Sequence, residues 1–124
     1  MRVQILDGKT GRPIANQRLL LQGKDGHALG GDGPGKPGMT GFTTDGEGYA
    51  PVPNVDASVP EISISVEMHR ACSKTERHEF SLLKVRTSGV VSENSCKPRI
   101  SMYPQPGTLI FYVRDLTLLE KMRR

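Results

Sequence analysis

The sequence predicts an all-β domain, and two features carry that expectation. The first is a period-two alternation of apolar and polar residues, cleanest from Glu61 to Arg70. There Ile62, Ile64, Val66 and Met68 share one face, and Glu61, Ser63, Ser65, Glu67 and His69 share the other. Such a strand is buried on one side and wet on the other. The second is turn chemistry: 14 Gly and 9 Pro in 124 residues exceed ordinary usage and favour turns and short strands over helices. A chain of this length suits one domain, residues 1–124, and with 5% aromatic residues and no Trp its core must be built from Val, Ile, Leu and Met with a few rings.

The elements follow in order. Arg2 to Leu6 is a strand with Val3 and Ile5 on one face, and Arg18 to Gln22 is a second with Leu19 and Leu21 together. Between them, Asp7-Gly8 and Thr10-Gly11 tolerate positive φ and Pro13 fixes the return, which predicts an opening hairpin. Gly23 to Gly41, "GKDGHALGGDGPGKPGMTG", offers almost nothing to bury and is expected to be a mobile, glycine-rich loop dispensable for folding. "GFTTDGEGYAPVP", Gly41 to Pro53, predicts a second hairpin around Asp45-Gly46-Glu47-Gly48. After the alternating strand at 61–70, residues 80–88 predict a short helix with Phe80, Leu83 and Thr87 on its inner side and Gly89 ending it. Thr108 to Arg114 is the last strand, turning Leu109, Phe111 and Val113 inward. The tail places Leu116, Leu119 and Met122 at helical spacing.

Charge and cysteine bound the function. A net charge of +4 and a pI near 9.3 permit attraction to polyanions, acidic polysaccharide among them, without requiring any. Lys and Arg are dispersed, dense only at Lys121, Arg123 and Arg124, and no aromatic residues interleave with them, so nucleic-acid binding is not expected. Carbohydrate is permitted by charge alone, with no residue pattern in its support. No apolar run approaches a membrane span. Met1 leads into a strand without a signal-peptide pattern, as expected where a leader is missing ahead of a mature N-terminus. Cys72 and Cys96 are the two cysteines; an extracytoplasmic disulfide between them is expected, with two buried thiols as the alternative.

The order of turns in the first half carries a resemblance. Asp7, Gly11 and Pro13 in the first turn, Asn16 after it, then Thr44, Asp45 and Gly48 in the second, are similar to the pattern of the carboxypeptidase regulatory-like domain of the transthyretin (prealbumin) type. The match covers about residues 1 to 70; Arg70 to Lys97, with both cysteines and the helix, departs from the usual short pattern. The resemblance implies a Greek-key β-sandwich of about seven strands. It also implies a secreted, periplasmic or surface module acting as spacer, adhesive unit or appendage, and rarely as a catalyst.

The fold of that family also includes hydroxyisourate hydrolase, whose site uses His and Arg on strands and a C-terminal Tyr-Arg-Gly-Ser segment. This chain ends "LLEKMRR" and its first strand, "RVQIL", has no His. His27, His69 and His78 are expected at the surface. Cys72, three residues from His69, is expected to be bonded rather than nucleophilic. An intramolecular isopeptide bond is not expected, because Lys9 falls in a turn and "TLIFYV" holds neither Asn nor Asp. Asp25, Asp32, Asp45 and Glu47 sit among glycines as turn residues without an EF-hand spacing. The glycine-rich loop lacks a phosphate-binding motif.

The sequence therefore predicts a non-catalytic, extracytoplasmic binding or structural module with no cofactor and no metal. A hydrolase and a subunit of a homomeric extracellular assembly stand as alternatives. The closing strand carries no charge from Thr108 to Val113, so its outer face wants cover; the chain's own tail folding back is the expected cover, and a protein partner or a second copy is the alternative. Its outer face, Ile110 and Tyr112, is expected to be exposed unless the tail residues Leu116, Leu119 and Met122, or a neighbouring subunit, cover it.

Overall fold

A computed structural model describes residues 1–23, 39–52, 60–73, 78–96, 102–116 and 122. It is a β-sandwich. One sheet holds β1 (Arg2–Asp7), β4 (Tyr49–Pro51), β6 (His69–Ala71), β8 (Val90–Val91) and β9 (Thr108–Asp115), in the order β4-β1-β9-β6 with β8 also on β9. The other holds β2 (Arg18–Gly23), β3 (Met39–Thr43), β5 (Glu61–Val66) and β7 (Glu79–Ser81), in the order β3-β2-β5-β7. A single turn-and-a-half helix, α1 (Leu82–Thr87), completes the described elements. The long alternating run and the stretch around the helix yield more strands than the seven or so expected.

At both predicted hairpins, β1 to β2 and β3 to β4, the chain crosses to the other sheet instead of pairing, which corrects those two expectations. β1 pairs with β4 and β9, whereas β2 pairs with β3 and β5. The opening turn is real as local chemistry: Asp7 Oδ1 accepts from the Lys9 and Thr10 amides (2.7 and 3.1 Å). Gly11 takes φ 74° and donates to the Asp7 carbonyl at 2.8 Å. The chain then doubles back only as far as a Leu6–Pro13 bridge. Asn16, at φ 57°, turns it away into the other sheet, a conformation Asn tolerates better than most residues.

The second turn behaves alike. Asp45 Oδ1 accepts from the Glu47 and Tyr49 amides (2.9 and 3.0 Å), but β3 before it and β4 after it lie in different sheets. Thr44 ties the two crossings together: its hydroxyl donates to the Ile14 carbonyl (2.6 Å) and accepts from the Gln17 amide (2.8 Å). A third crossing divides the run at 61–70. The strand expected to be continuous ends at Val66, and Met68, at φ 67° and 62% exposed, points outward where the chain passes to β6. The alternation correctly marked Ile62 and Ile64 as buried, but it cannot register a change of sheet.

Two other expectations are corrected. Phe80 belongs to β7, and the helix buries Leu82 and Val85 while Leu83 is 70% exposed and Thr87 is exposed. Ser81, whose side chain accepts from the Lys84 amide, caps the helix and sets that phase. Gly89 does end it, at φ 80°; a Cβ there would lie 2.1 Å from the Gln105 carbonyl oxygen. In the glycine-rich stretch, Met39–Gly41 already belongs to β3; residues 24–38, including His27, Asp25 and Asp32, lie outside the described residues.

The core lies between the sheets: Val3, Ile5, Leu19, Leu21, Ile62, Leu109, Phe111 and Val113 are all buried there. β9 is not an edge. It pairs in parallel with β1 over six residues, and its other flank meets β8 at Leu109–Ile110 and β6 at Val113–Asp115. Six of its residues, Thr108 to Val113, are buried.

Gly48 carries the second crossing, at φ 80° with a virtual Cβ 2.7 Å from the Ile5 carbonyl oxygen, whereas Gly46 in the same turn has nothing within 4 Å. Gly48→Ala is expected to lower the unfolding free energy by about 1–3 kcal/mol. Gly46→Ala should change it by less than about 0.5 kcal/mol. Denaturant titration of the two variants checks the contrast.

Candidate functional site

Beside β6, where the chain arrives from the end of β5, the sandwich has a cleft. Its volume is about 400 Å³, with Phe111 and Val66 among its apolar walls, His69 and His78 beside them, and Ser65 and Arg70 also lining it. A smaller recess of about 200 Å³ adjoins it and shares His78 and Phe111. The recess exists because β8 and β6 cover different parts of β9 and leave Phe111 and Tyr112 between them.

Phe111 anchors the site. His78 meets it edge-on at a centroid distance of 5.5 Å, and Phe80 does so at 6.2 Å. The His78 carbonyl accepts from the Ile64 amide (3.0 Å), extending the β5–β7 ladder by one bond and fixing the ring's position. Burial holds the His78 imidazole below its ordinary value of 6.5, because the charged ring would lose hydration beside an aromatic wall.

On the β6 side, the register places His69 directly across from Asp115, and its Nε2 lies 3.3 Å from the Asp115 carboxylate. The other ring nitrogen, Nδ1, is buried without a hydrogen-bond partner among the described residues. Ser65 lines the same cleft, but a Ser-His-Asp relay needs its hydroxyl on that nitrogen, and it makes no such bond. Arg18 and Glu67 form a solvent-exposed pair at 3.8 Å, which contributes little to stability. Among the described residues no group of three His, Cys, Asp or Glu could hold a metal.

The residues singled out in the sequence are distributed differently. Cys72 and Cys96 are joined in a disulfide with Cα atoms 5.3 Å apart. Ile110 and Tyr112, expected to need cover from the tail or a second copy, are 0% and 1% exposed. With Leu6 and Cys72 they form a second buried cluster on the outer face of the five-stranded sheet, with Val91 and Cys96 packed against it. Leu116 is partly buried and lines the large cleft. Met122 is exposed, and Leu119 lies outside the described residues.

The sequence places His69 and His78 at the surface, and the fold gathers both into the cleft. Alternation did place His69 on the polar face, but a pairing with Asp115 is a matter of register, which no single-strand pattern contains. His78 sits just before β7, and only the fold brings Phe111 to it.

A base whose folded value is depressed binds fewer protons folded than unfolded at pH values between the two. His78 therefore contributes its full stability above 6.5 and loses it as pH falls from 6.5 toward its folded value. Unfolding free energy measured across that window should decline with acidification. His78→Phe, which keeps an edge-on ring, should flatten the decline; an unchanged slope would assign the titration to another group.

Comparison with family models, with curated proteins and with solved structures finds no match to this chain, so its function is argued from the fold and the cleft.

Proposed function

We propose that this chain is a non-catalytic, extracytoplasmic β-sandwich module that binds a protein partner through the cleft beside β6 and the end of β5. The observation that carries the reading is the cleft's composition: an aromatic and aliphatic interior at Phe111 and Val66, bordered by the polar groups of Ser65, His69 and Arg70. Apolar interior with a few convergent polar groups is the usual character of a recognition site. Against catalysis, no nucleophile among the described residues is hydrogen-bonded to a cleft histidine: His69 holds a carboxylate, His78 leans on a ring, and both cysteines are in a disulfide.

The extracytoplasmic part rests on that disulfide, since such bonds persist mainly in oxidising compartments. The likeness of the two Asp-led turns to the transthyretin-type carboxypeptidase regulatory-like domain supports the same class. The Greek-key connection belongs to that resemblance. In this reading the module is a spacer or adhesive unit attached to a larger function.

A photo-reactive benzophenone side chain at Met68, beside the cleft, is expected to trap a discrete protein adduct in the native extracytoplasmic extract. The same group at Arg12, in the first turn away from the cleft, should trap none. Equal labelling from both positions would refute the cleft as the contact site. Hydrolysis of 5-hydroxyisourate above the uncatalysed rate would overturn the non-catalytic reading, and oligomers in light scattering of the purified chain would favour homomeric assembly.

A further inference from the structure

The outer face of the five-stranded sheet carries a cover made largely of polar residues. After β8, residues Ser92 to Cys96 cross from β9 toward the end of β1. The Ser92 amide donates to the Ile110 carbonyl (2.8 Å), and the Ser92 hydroxyl accepts from the Tyr112 amide (3.1 Å). Asn94 donates through Nδ2 to the Gly8 carbonyl (3.0 Å) and accepts at Oδ1 from the Cys96 amide (3.2 Å). The Ser95 amide donates to the Cys72 carbonyl (2.9 Å), and Ser73 donates to Glu93 (3.1 Å). Gly8 is the floor of this seat: a Cβ there would lie 2.4 Å from Cys72 Sγ and 2.7 Å from Asn94 Oδ1.

Beneath the strap lie Leu6, Ile110 and Tyr112, buried with Cys72 as a cluster distinct from the main core. We propose that residues Ser92 to Cys96 form a redox-latched cover: reduction of the Cys72–Cys96 bond releases the strap and exposes the apolar face of Leu6, Ile110 and Tyr112 while the sandwich remains folded.

The local character of the change follows from the anchors on each side. Between the two cysteines the chain is held by β7 on β5, by Leu82 and Val85 of α1 in the main core, and by β8 on β9. Before Cys72 it is held by β6 on β9. Breaking the bond therefore frees the stretch beyond β8 and not the elements that pack between the sheets. The hydrogen bonds described above that would still hold the strap lie around exposed Glu93 and Ser95, each exchangeable with water at small net cost.

The chemistry is a two-electron exchange. A thiolate of a dithiol reductant attacks the sulfur of Cys96, which is partly exposed, whereas Cys72 is 1% exposed. Cys72 leaves as a thiolate and takes up a proton. The second thiol of the reductant then closes its own disulfide and releases Cys96 as a thiol, so one dithiol is oxidised for each bond reduced.

The test is native-state hydrogen exchange on the folded, full-length chain, oxidised and after dithiothreitol without denaturant, with alkylation confirming two thiols. The expected result is at least tenfold faster exchange of the Ser92, Ser95, Cys96 and Tyr112 amides. The β2–β5 ladder should keep its protection, and an apolar-sensing dye such as bis-ANS should gain fluorescence, reversed on reoxidation. Unchanged strap exchange would overturn the proposal by showing that the hydrogen bonds suffice; loss of protection throughout would overturn it by showing that the bond holds the whole fold. Asn94→Ala with the disulfide intact should stay dye-silent, and dye binding by that oxidised variant would overturn the disulfide as the latch.

Discussion

A strand that is buried on both faces must be covered on both faces, and that requirement governs this molecule. Thr108–Asp115 lies between β1 on one flank and β8 and β6 on the other, with six consecutive buried residues. Its inward set, Leu109, Phe111 and Val113, is met by the opposite sheet. Its outward set, Ile110 and Tyr112, is met by the strap and the disulfide. The cleft follows from the same strand: Phe111 is its aromatic wall, and the recess opens where β6 and β8 leave β9 uncovered.

The crossings between sheets put the cover within reach. Asn16, Gly48 and Met68, all at positive φ, each stand at or beside a passage from one sheet to the other. Because β1 does not pair with β2, it is free to take β9 as a parallel neighbour, and its end at Gly8 becomes the seat of Asn94. The Gly8 amide donates to the Val113 carbonyl (2.8 Å), so the seat is itself fixed to β9. A larger residue at Gly8 would push against the disulfide sulfur and the strap together.

Much of the local structure was legible in the sequence. Asp7 and Asp45 do organise turns, Gly89 does end the helix, and Leu109, Phe111 and Val113 do face inward. What could not be read was pairing. A tight polar turn between two alternating runs looks the same whether the strands pair or separate into two sheets. Likewise Phe80 and Leu83 have the same spacing as Leu82 and Val85, and only the cap at Ser81 chooses between them. The cover over Ile110 and Tyr112 was invisible for a different reason: Ser92, Glu93, Asn94 and Ser95 are polar, and hydrophobic patterning looks for apolar partners. The cleft was illegible because His78 is far in sequence from Phe111, and His69 from Asp115.

The central claim is that β9 is a two-sided interior strand, and paired truncations on its two faces test it most directly. Leu109→Ala and Ile110→Ala should each lower the unfolding free energy by about 2–5 kcal/mol in denaturant titrations, since both side chains are fully buried. A loss at Leu109 with a change of less than about 0.5 kcal/mol at Ile110 would mean that the outer face is solvent-exposed, and would contradict the account.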